Sequence, residues 1–262
     1  MSAATGSQTP TDDLPFVAPC NELPNAAPFE WLAHAWRDMR AAPVLSLFYG
    51  VLLALLSAGI AVLTWRSGLI VLYLGLATGF VFVGPWLAMG LYSISYQLEA
   101  GRKPTLAYSL RQARAHMRDT LVLGICLLIV LLVWARAATL MNVFRPQTGL
   151  PTLREILPFL AIGSCVGAIF AAIVFAATAF SLPMLLDRRT DAITAVVTSI
   201  NATLRNKRTM LIWAMLIVAA VVVGFATLFV GFIVLMPLLG HASWHAYRAT
   251  IDARMWPSSL AE

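Results

Sequence analysis

The chain has 262 residues, of which 60% are hydrophobic and only 11% charged, with Lys and Arg outnumbering Asp and Glu by 18 to 12. A soluble domain carries about 25% charged residues, so a water-facing globule of this length is excluded. The net charge of +6 points to membrane orientation rather than to nucleic acid, because Lys and Arg are retained on the cytoplasmic side of a bilayer.

In chain order, residues 1–28 hold Pro10, Pro15, Pro19, Pro24 and Pro28 with Asp12 and Asp13. They lack the basic start and apolar stretch of a cleavable signal, and a disordered Pro-rich cytoplasmic tail is expected. A transmembrane domain follows over 29–251. Its uncharged stretches, Ala41 to Trp65, Ser67 to Leu98, Ile156 to Leu186 and Thr209 to Tyr247, reach or exceed the about 20 apolar residues a spanning helix needs. The first span is expected at 44–64, returning through Trp65-Arg66-Ser67-Gly68. The second runs over 69–98, with a break or kink at Gly84-Pro85, where proline removes a helix donor. The third covers 120–141 and the fourth 156–186, with Pro183 near its end. The last stretch would make a helix of nearly 60 Å at about 1.5 Å per residue, so it is divided between Gly224 and Gly231 into spans 209–226 and 229–248. Residues 252–262 form a short cytoplasmic tail. A single helix in place of the last two spans is the alternative.

The charges between these spans are lopsided. With both termini inside, the inner segments carry Arg37, Arg40, Arg102, Lys103, Arg111, Arg114, Arg118, Arg188, Arg189, Arg205, Lys207, Arg208, Arg248 and Arg254, and the outer side only Arg66, Arg136, Arg145 and Arg154. That bias places both termini in the cytoplasm.

An internal pattern recurs before each odd-numbered span. Phe29, Leu32, Trp36 and Met39 fall on one helical face and end in Arg40. Leu106, Leu110, Ala113 and Met117 do so before Arg118, and Ile193, Val196, Val197, Ile200 and Leu204 before Arg208. Such spacing is helical, and short helices with basic ends beside a span are expected to lie at the headgroups. Thr105 and Thr190 stand where N-caps belong. The fold class is therefore all-α: a polytopic bundle of six spans in three parallel hairpin repeats, each preceded by a cytoplasmic interfacial amphipathic helix.

Few residues carry chemistry. His241 and His245, four apart, are candidate metal or haem ligands, although Trp244 and Tyr247 beside them fit an interfacial aromatic belt equally well. His34 and His116 fall on the interfacial helices. Arg136, near the outer end of its span, is expected to snorkel and to pair with Glu155. Asp187 and Asp191 are expected to form an ion-pair network with Arg188 and Arg189 at headgroup level. Gly75 and Gly79, like Gly163 and Gly167, have the spacing of close helix pairing within the chain. Cys20, Cys126 and Cys165 lack any Cys-x-x-Cys pairing, and the latter two are expected as buried packing residues. No phosphate loop, nucleophile elbow or His-Glu-x-x-His occurs, and no acidic residue lies at the middle of a span, so the chain is not expected to be an enzyme.

Four strings carry a resemblance: Trp31-Leu32 with Ala35-Trp36-Arg37-Asp38-Met39, Pro43, Ser46-Leu47 and Tyr49-Gly50; Gly84-Pro85-Trp86-Leu87-Ala88 with Gly90-Leu91-Tyr92 and Leu98-Glu99-Ala100-Gly101; Ser181-Leu182-Pro183-Met184-Leu185-Leu186-Asp187; and Gly240-His241-Ala242-Ser243-Trp244-His245-Ala246-Tyr247-Arg248. Over about 29–251 the chain resembles the bacterial integral-membrane family catalogued as domain of unknown function 2189. It departs from that pattern at Ser95-Tyr96-Gln97 and at Asn206-Lys207. The resemblance implies a multi-pass protein of the bacterial cytoplasmic membrane. Some members of the family carry a cytochrome c oxidase label, but a haem–copper subunit needs about six histidines within its spans, and this chain has four in all.

The expected function is a non-catalytic accessory or assembly component of a membrane complex, a respiratory terminal oxidase being the named guess. A small-molecule or lipid transporter built from three parallel repeats is the first alternative, and haem or copper at His241 and His245 the second; no cofactor is otherwise expected. The expected partners are the lipid bilayer and respiratory-complex subunits. Pro85, Glu99, Pro183, Asp187, His241, Trp244, His245, Tyr247 and Arg248 form the candidate functional or packing motif.

Overall fold

The structure, a computed structural model, describes residues 15–67, 70–140 and 152–259. These residues form ten helices: α1 (Ala27–Ala41), α2 (Pro43–Ser67), α3 (Ile70–Glu99), α4 (Leu106–Ala115), α5 (Met117–Leu140), α6 (Leu153–Thr178), α7 (Ser181–Asp187), α8 (Ala192–Arg205), α9 (Lys207–Ala226) and α10 (Phe232–Thr250). Among them α2, α5, α9 and the stretch Ile156–Asp187, which takes in most of α6 and all of α7, are long and apolar enough to cross a membrane. Four stretches therefore meet that standard where six spans are expected. In α10 the second half is polar, with His241, Ser243, His245 and Arg248, which lowers its hydropathy. At 30 residues α3 is about 45 Å long at 1.5 Å per residue. Its helix runs unbroken through Pro85, where a break or kink is expected from the sequence.

Three short helices each lead, after a single residue, into a long one: α1 through Ala42, α4 through His116 and α8 through Asn206. The first joint follows from Pro43, since a residue before proline is pushed out of the helical region and Ala42 sits at φ −132°, ψ 59°. Thr105 caps α4, accepting from the Tyr108 N–H at 3.4 Å. Asp191, not Thr190, caps α8, accepting from Ile193 and Thr194 N–H at 2.9 and 3.0 Å. A carboxylate does this better than a hydroxyl, because the bonds are charge-assisted.

In α4 and α8 the faces are turned opposite to a soluble protein's. In α8 the buried side is Ala192, Thr194, Ala195, Thr198, Ser199, Ala202 and Thr203, while Ile193 and Leu204 are exposed. In α4 Ser109, Gln112 and Ala113 are buried and Leu110 is exposed. In α1 Trp31, Ala35 and Met39 pack inward, whereas Phe29 and Trp36 point out. In lipid the bulky apolar side gains nothing by hiding, and small residues let helices approach closely.

The fourth expected span is broken. α6 stops at Thr178 and α7 starts at Ser181, because Pro183 offers no N–H to the preceding turn. Ser199 of α8 repairs the gap: its hydroxyl accepts from the Phe180 N–H at 3.1 Å and donates to the Ala176 carbonyl at 2.7 Å. The last apolar stretch divides where the sequence places the division, through a turn in which Leu228 and Phe229 adopt positive φ.

The centre of the packing is α1, α2, α3 and α10. Gly50 lets α2 press on α10, where a Cβ would collide with the Ile233 carbonyl, and Gly240 seats against the side chain of Leu91 in α3. Trp31 and Trp213 meet edge to face at 5.6 Å. By contrast Gly79, Gly163 and Gly167 have open space where a Cβ would be, so they are not the points of close approach expected from their spacing; Gly75 has no described side-chain surroundings. Cys126 and Cys165 are exposed, not buried.

Neither described tail portion is loose. Residues 15–26 run extended between α8 and the end of α10. Asn21 N–H donates to the Thr250 carbonyl at 2.8 Å, Asp252 N–H to Pro19 at 2.9 Å, and Ala18 N–H to Thr198 Oγ1 at 3.1 Å. Beyond α10 the chain folds back, burying Ala253 and Trp256. Of the two expected tails, residues 1–14 and 260–262 lie outside the described residues.

Candidate functional site

The polar residues gather where α3, α7 and α10 finish. Trp244 Nε1 donates to Glu99 Oε2 at 3.0 Å, and Arg248 reaches the other oxygen through Nε at 3.1 Å and Nη2 at 2.9 Å. Tyr247 donates its hydroxyl to Asp187 Oδ2 at 2.7 Å, and Arg188 Nε meets the same oxygen at 2.9 Å. Arg248 Nη1 stands 3.6 Å from it, joining both halves. One α10 turn thus presents Trp244, Tyr247 and Arg248 to two carboxylates from other helices, as positions three and four apart must.

Asp187 is buried. A carboxylate out of water is costly unless paired and fully bonded, and here two guanidinium groups and a phenol surround it. The returning C-terminal segment completes the enclosure: Arg188 Nη1 donates to the Trp256 carbonyl at 2.9 Å, Ser259 N–H to the Asp187 carbonyl at 2.9 Å, and Ser259 Oγ to the Leu186 carbonyl. A cavity of about 270 Å³ adjoins the cluster, lined by Tyr96, Glu99, Asp187, Arg188, Arg248 and Ser258.

A second cluster lies deeper along α10. Both nitrogens of His241 are engaged, Nε2 with Ser46 Oγ at 2.9 Å and Nδ1 with Ser95 Oγ at 2.7 Å. Ser95 in turn bonds Asp38, whose Oδ2 is 2.8 Å from His245 Nε2. Since Ser95 has one proton and gives it to the carboxylate, it accepts from His241 Nδ1–H, and His241 Nε2 accepts from Ser46. The chain of bonds therefore has one direction, ending on Asp38. Burial pushes the Asp38 carboxyl upward, but the bonds from His245 and Ser95 outweigh it and hold the group below its ordinary value. His34 stacks edge-on against His245 at 5.1 Å; burial, Arg37 and His245 lower its pKa.

Of the residues singled out from the sequence, Glu99, Asp187, Trp244, Tyr247 and Arg248 meet in one network, and His241 and His245 in the neighbouring one. Pro183 is buried in α7. Pro85 stands apart, lining an apolar crevice of about 520 Å³ with Leu127, Val130, Trp134, Gly167 and Phe170. The His116 side chain bonds the Gln112 carbonyl of α4 at 2.9 Å. Asp187 pairs with Arg188 as expected, whereas Asp191 is spent on capping α8. Arg136 is exposed on α5; the side chain of Glu155, its expected partner, lies outside the described residues. Ser46, Ser95 and Asp38 were not legible as partners of the histidines, because the sequence does not say which faces of α1, α2 and α3 meet α10. Among the described residues no three His, Cys, Asp or Glu side chains stand together as a metal site. A metal taking His241 would have to displace Ser46 or Ser95, and one taking His245 through Nε2 would have to displace Asp38.

A family model described as a predicted integral membrane protein, DUF2189, matches residues 72–187. That range holds the second and third of the strings that carry the resemblance, from Gly84 and from Ser181, and leaves the first and the fourth outside it. No curated protein and no solved structure matches the chain.

Proposed function

We propose that this integral membrane protein is a non-catalytic accessory or assembly component of a larger membrane complex, with the respiratory terminal oxidase as the named candidate, in the bacterial cytoplasmic membrane. In this reading α3 and α10 complete six spans with α2, α5, α6–α7 and α9. The three joints support three parallel repeats, and the basic ends favour both termini in the cytoplasm. The carrying observation is the unequal cover of the apolar helices. Of the most apolar part of α9, 28% is buried within the chain, of α2 22%, of α5 11%, and of Ile156–Asp187 none. The α5–α6 hairpin therefore offers a face for a neighbour in the membrane. The polar clusters support a structural role over catalysis, because their charged groups are spent on one another.

Cys126 and Cys165 lie exposed on that hairpin and give a direct test. A thiol cross-linker applied to native membranes, followed by mild extraction through a C-terminal tag and mass spectrometry, is expected to trap one membrane protein in stoichiometric yield through these cysteines. Recovery of the chain alone, with and without cross-linker, would overturn the proposal.

One observation favours a second reading, transport of a lipidic molecule: the crevice beside Pro85 opens between α3, α5 and α6 and is lined by apolar side chains. Ligand-dependent thermal stabilisation by lipids, abolished by Gly167→Leu, would support transport.

A further inference from the structure

The three joints between short and long helices share a chemistry that the accessory role does not use. At each, exposed cations stand beside an outward apolar face. Arg40 precedes the Ala42 joint. Arg114 and Arg118 flank His116, and Arg205, Lys207 and Arg208 flank Asn206; all six are exposed. Arg188, Arg248, Arg254 and His245 make ion pairs at the basic end, and among the described residues none of these pairs involves the six.

The neighbouring surfaces set their depth. Phe29 is 56% exposed, Leu110 44%, Ile193 64% and Leu204 55%. These side chains need hydrocarbon, so the cations that follow them are fixed at the level of the headgroups. The Asn206 side chain is taken by Leu23, Asn21 and Ala202 and leaves the start of α9 without a side-chain cap. Lys207 and Arg208 open α9 with exposed side chains, and the positive end of the helix dipole adds to their charge, an arrangement that favours phosphate.

We propose that these joints form a collar that selects anionic lipid headgroups, strongest at the α8–α9 joint. The charge and the apolar depth together fit a phosphate carried on acyl chains and leave a soluble phosphate without its second contact. The inference rests on the membrane placement above but not on any protein partner.

The test is lipid retention. Protein reconstituted in phosphatidylcholine mixed with phosphatidylglycerol is extracted mildly, and the bound lipid is counted by mass spectrometry. Wild type is expected to retain anionic over neutral lipid several-fold above the bulk ratio, and to melt higher in the mixture than in phosphatidylcholine alone. Each cation near an anionic surface contributes roughly fivefold, so R205Q/K207Q/R208Q is expected to lose at least about threefold of that enrichment, and R114Q/R118Q a smaller part. R66Q, at the far end of α2, is expected to leave it unchanged. Retention at the bulk ratio, equal loss in R66Q, or reproduction of the stabilisation by inorganic phosphate in phosphatidylcholine would each overturn the proposal. Because retention is read on the purified chain, a failed partner capture leaves this result standing, and the converse holds.

Discussion

At the scale of single residues, the glycines separate contact from spacing. Gly50 touches the α10 backbone at Ile233, whereas Gly163 faces open space. Gly50→Ala is expected to destabilise the protein in detergent by about 1–3 kcal/mol, as overpacking does. Gly163→Ala is expected to be neutral or to stabilise by up to about 1 kcal/mol, since alanine favours a helix. Thermal unfolding of the two variants side by side checks both. The carboxylates set the acid limit. Asp38 is held below its ordinary 3.8 by His245 and Ser95 against its burial, and Asp191 by Thr194 and Ile193 against its own. A carboxyl whose pKa is lower in the native state stabilises it above the unfolded value and loses that contribution as pH falls through the native value. Stability from these two groups is therefore expected to be full down to about pH 4 and to fall below it. Asp38→Asn should be less stable at pH 7 and show a shallower acid loss; an unchanged acid profile would contradict the assignment.

At the scale of elements, the break between α6 and α7 depends on a side chain from a third helix. Ser199→Ala leaves the Phe180 N–H and Ala176 carbonyl without their partner. An orphaned buried group costs about 1–3 kcal/mol, so a loss of that size is expected in thermal unfolding. Faster hydrogen exchange is expected at Phe180 while α10 keeps its protection. The same element logic explains Pro183. Its missing donor lets the chain turn, and the turn aims Asp187 at Tyr247.

At the scale of the molecule, the described tails and the basic ends converge on one side. The bridge between Arg188 and Ser258, and that between Cys20 and Ile251, tie the described tail segments to the same end of the bundle. Single-cysteine labelling in a Cys-free background is the check. Ser258→Cys is expected to react with a membrane-impermeant maleimide only after the cytoplasmic side is opened, and Trp65→Cys in intact cells. The reverse pattern would invert the topology, and labelling of both from one side would remove one crossing from the bundle.

The apolar lengths and the charge bias were legible without coordinates, because bilayer insertion is decided by local composition and helix length. The strings carrying Glu99, Asp187 and the His241 to Arg248 turn could be named for the same reason: rare polar residues stand out in apolar surroundings. Their partners could not. Asp38, Ser46 and Ser95 become ligands of the histidines only through the angles at which α1, α2 and α3 meet α10. In the same way Thr190, a plausible cap by position, yields to Asp191 once the turn before α8 is built. The inward faces of α1, α4 and α8 could not be read, because apolar periodicity marks the buried side only in water; Ile193 and Leu204 are exposed, and lipid can cover them as well as protein would. What the sequence alone determined is a helical membrane protein with a basic end. Only the tertiary structure decided which carboxylate meets which cation, since that depends on helix crossings set by Gly50, Gly240 and the break at Pro183, over distances that no local pattern encodes.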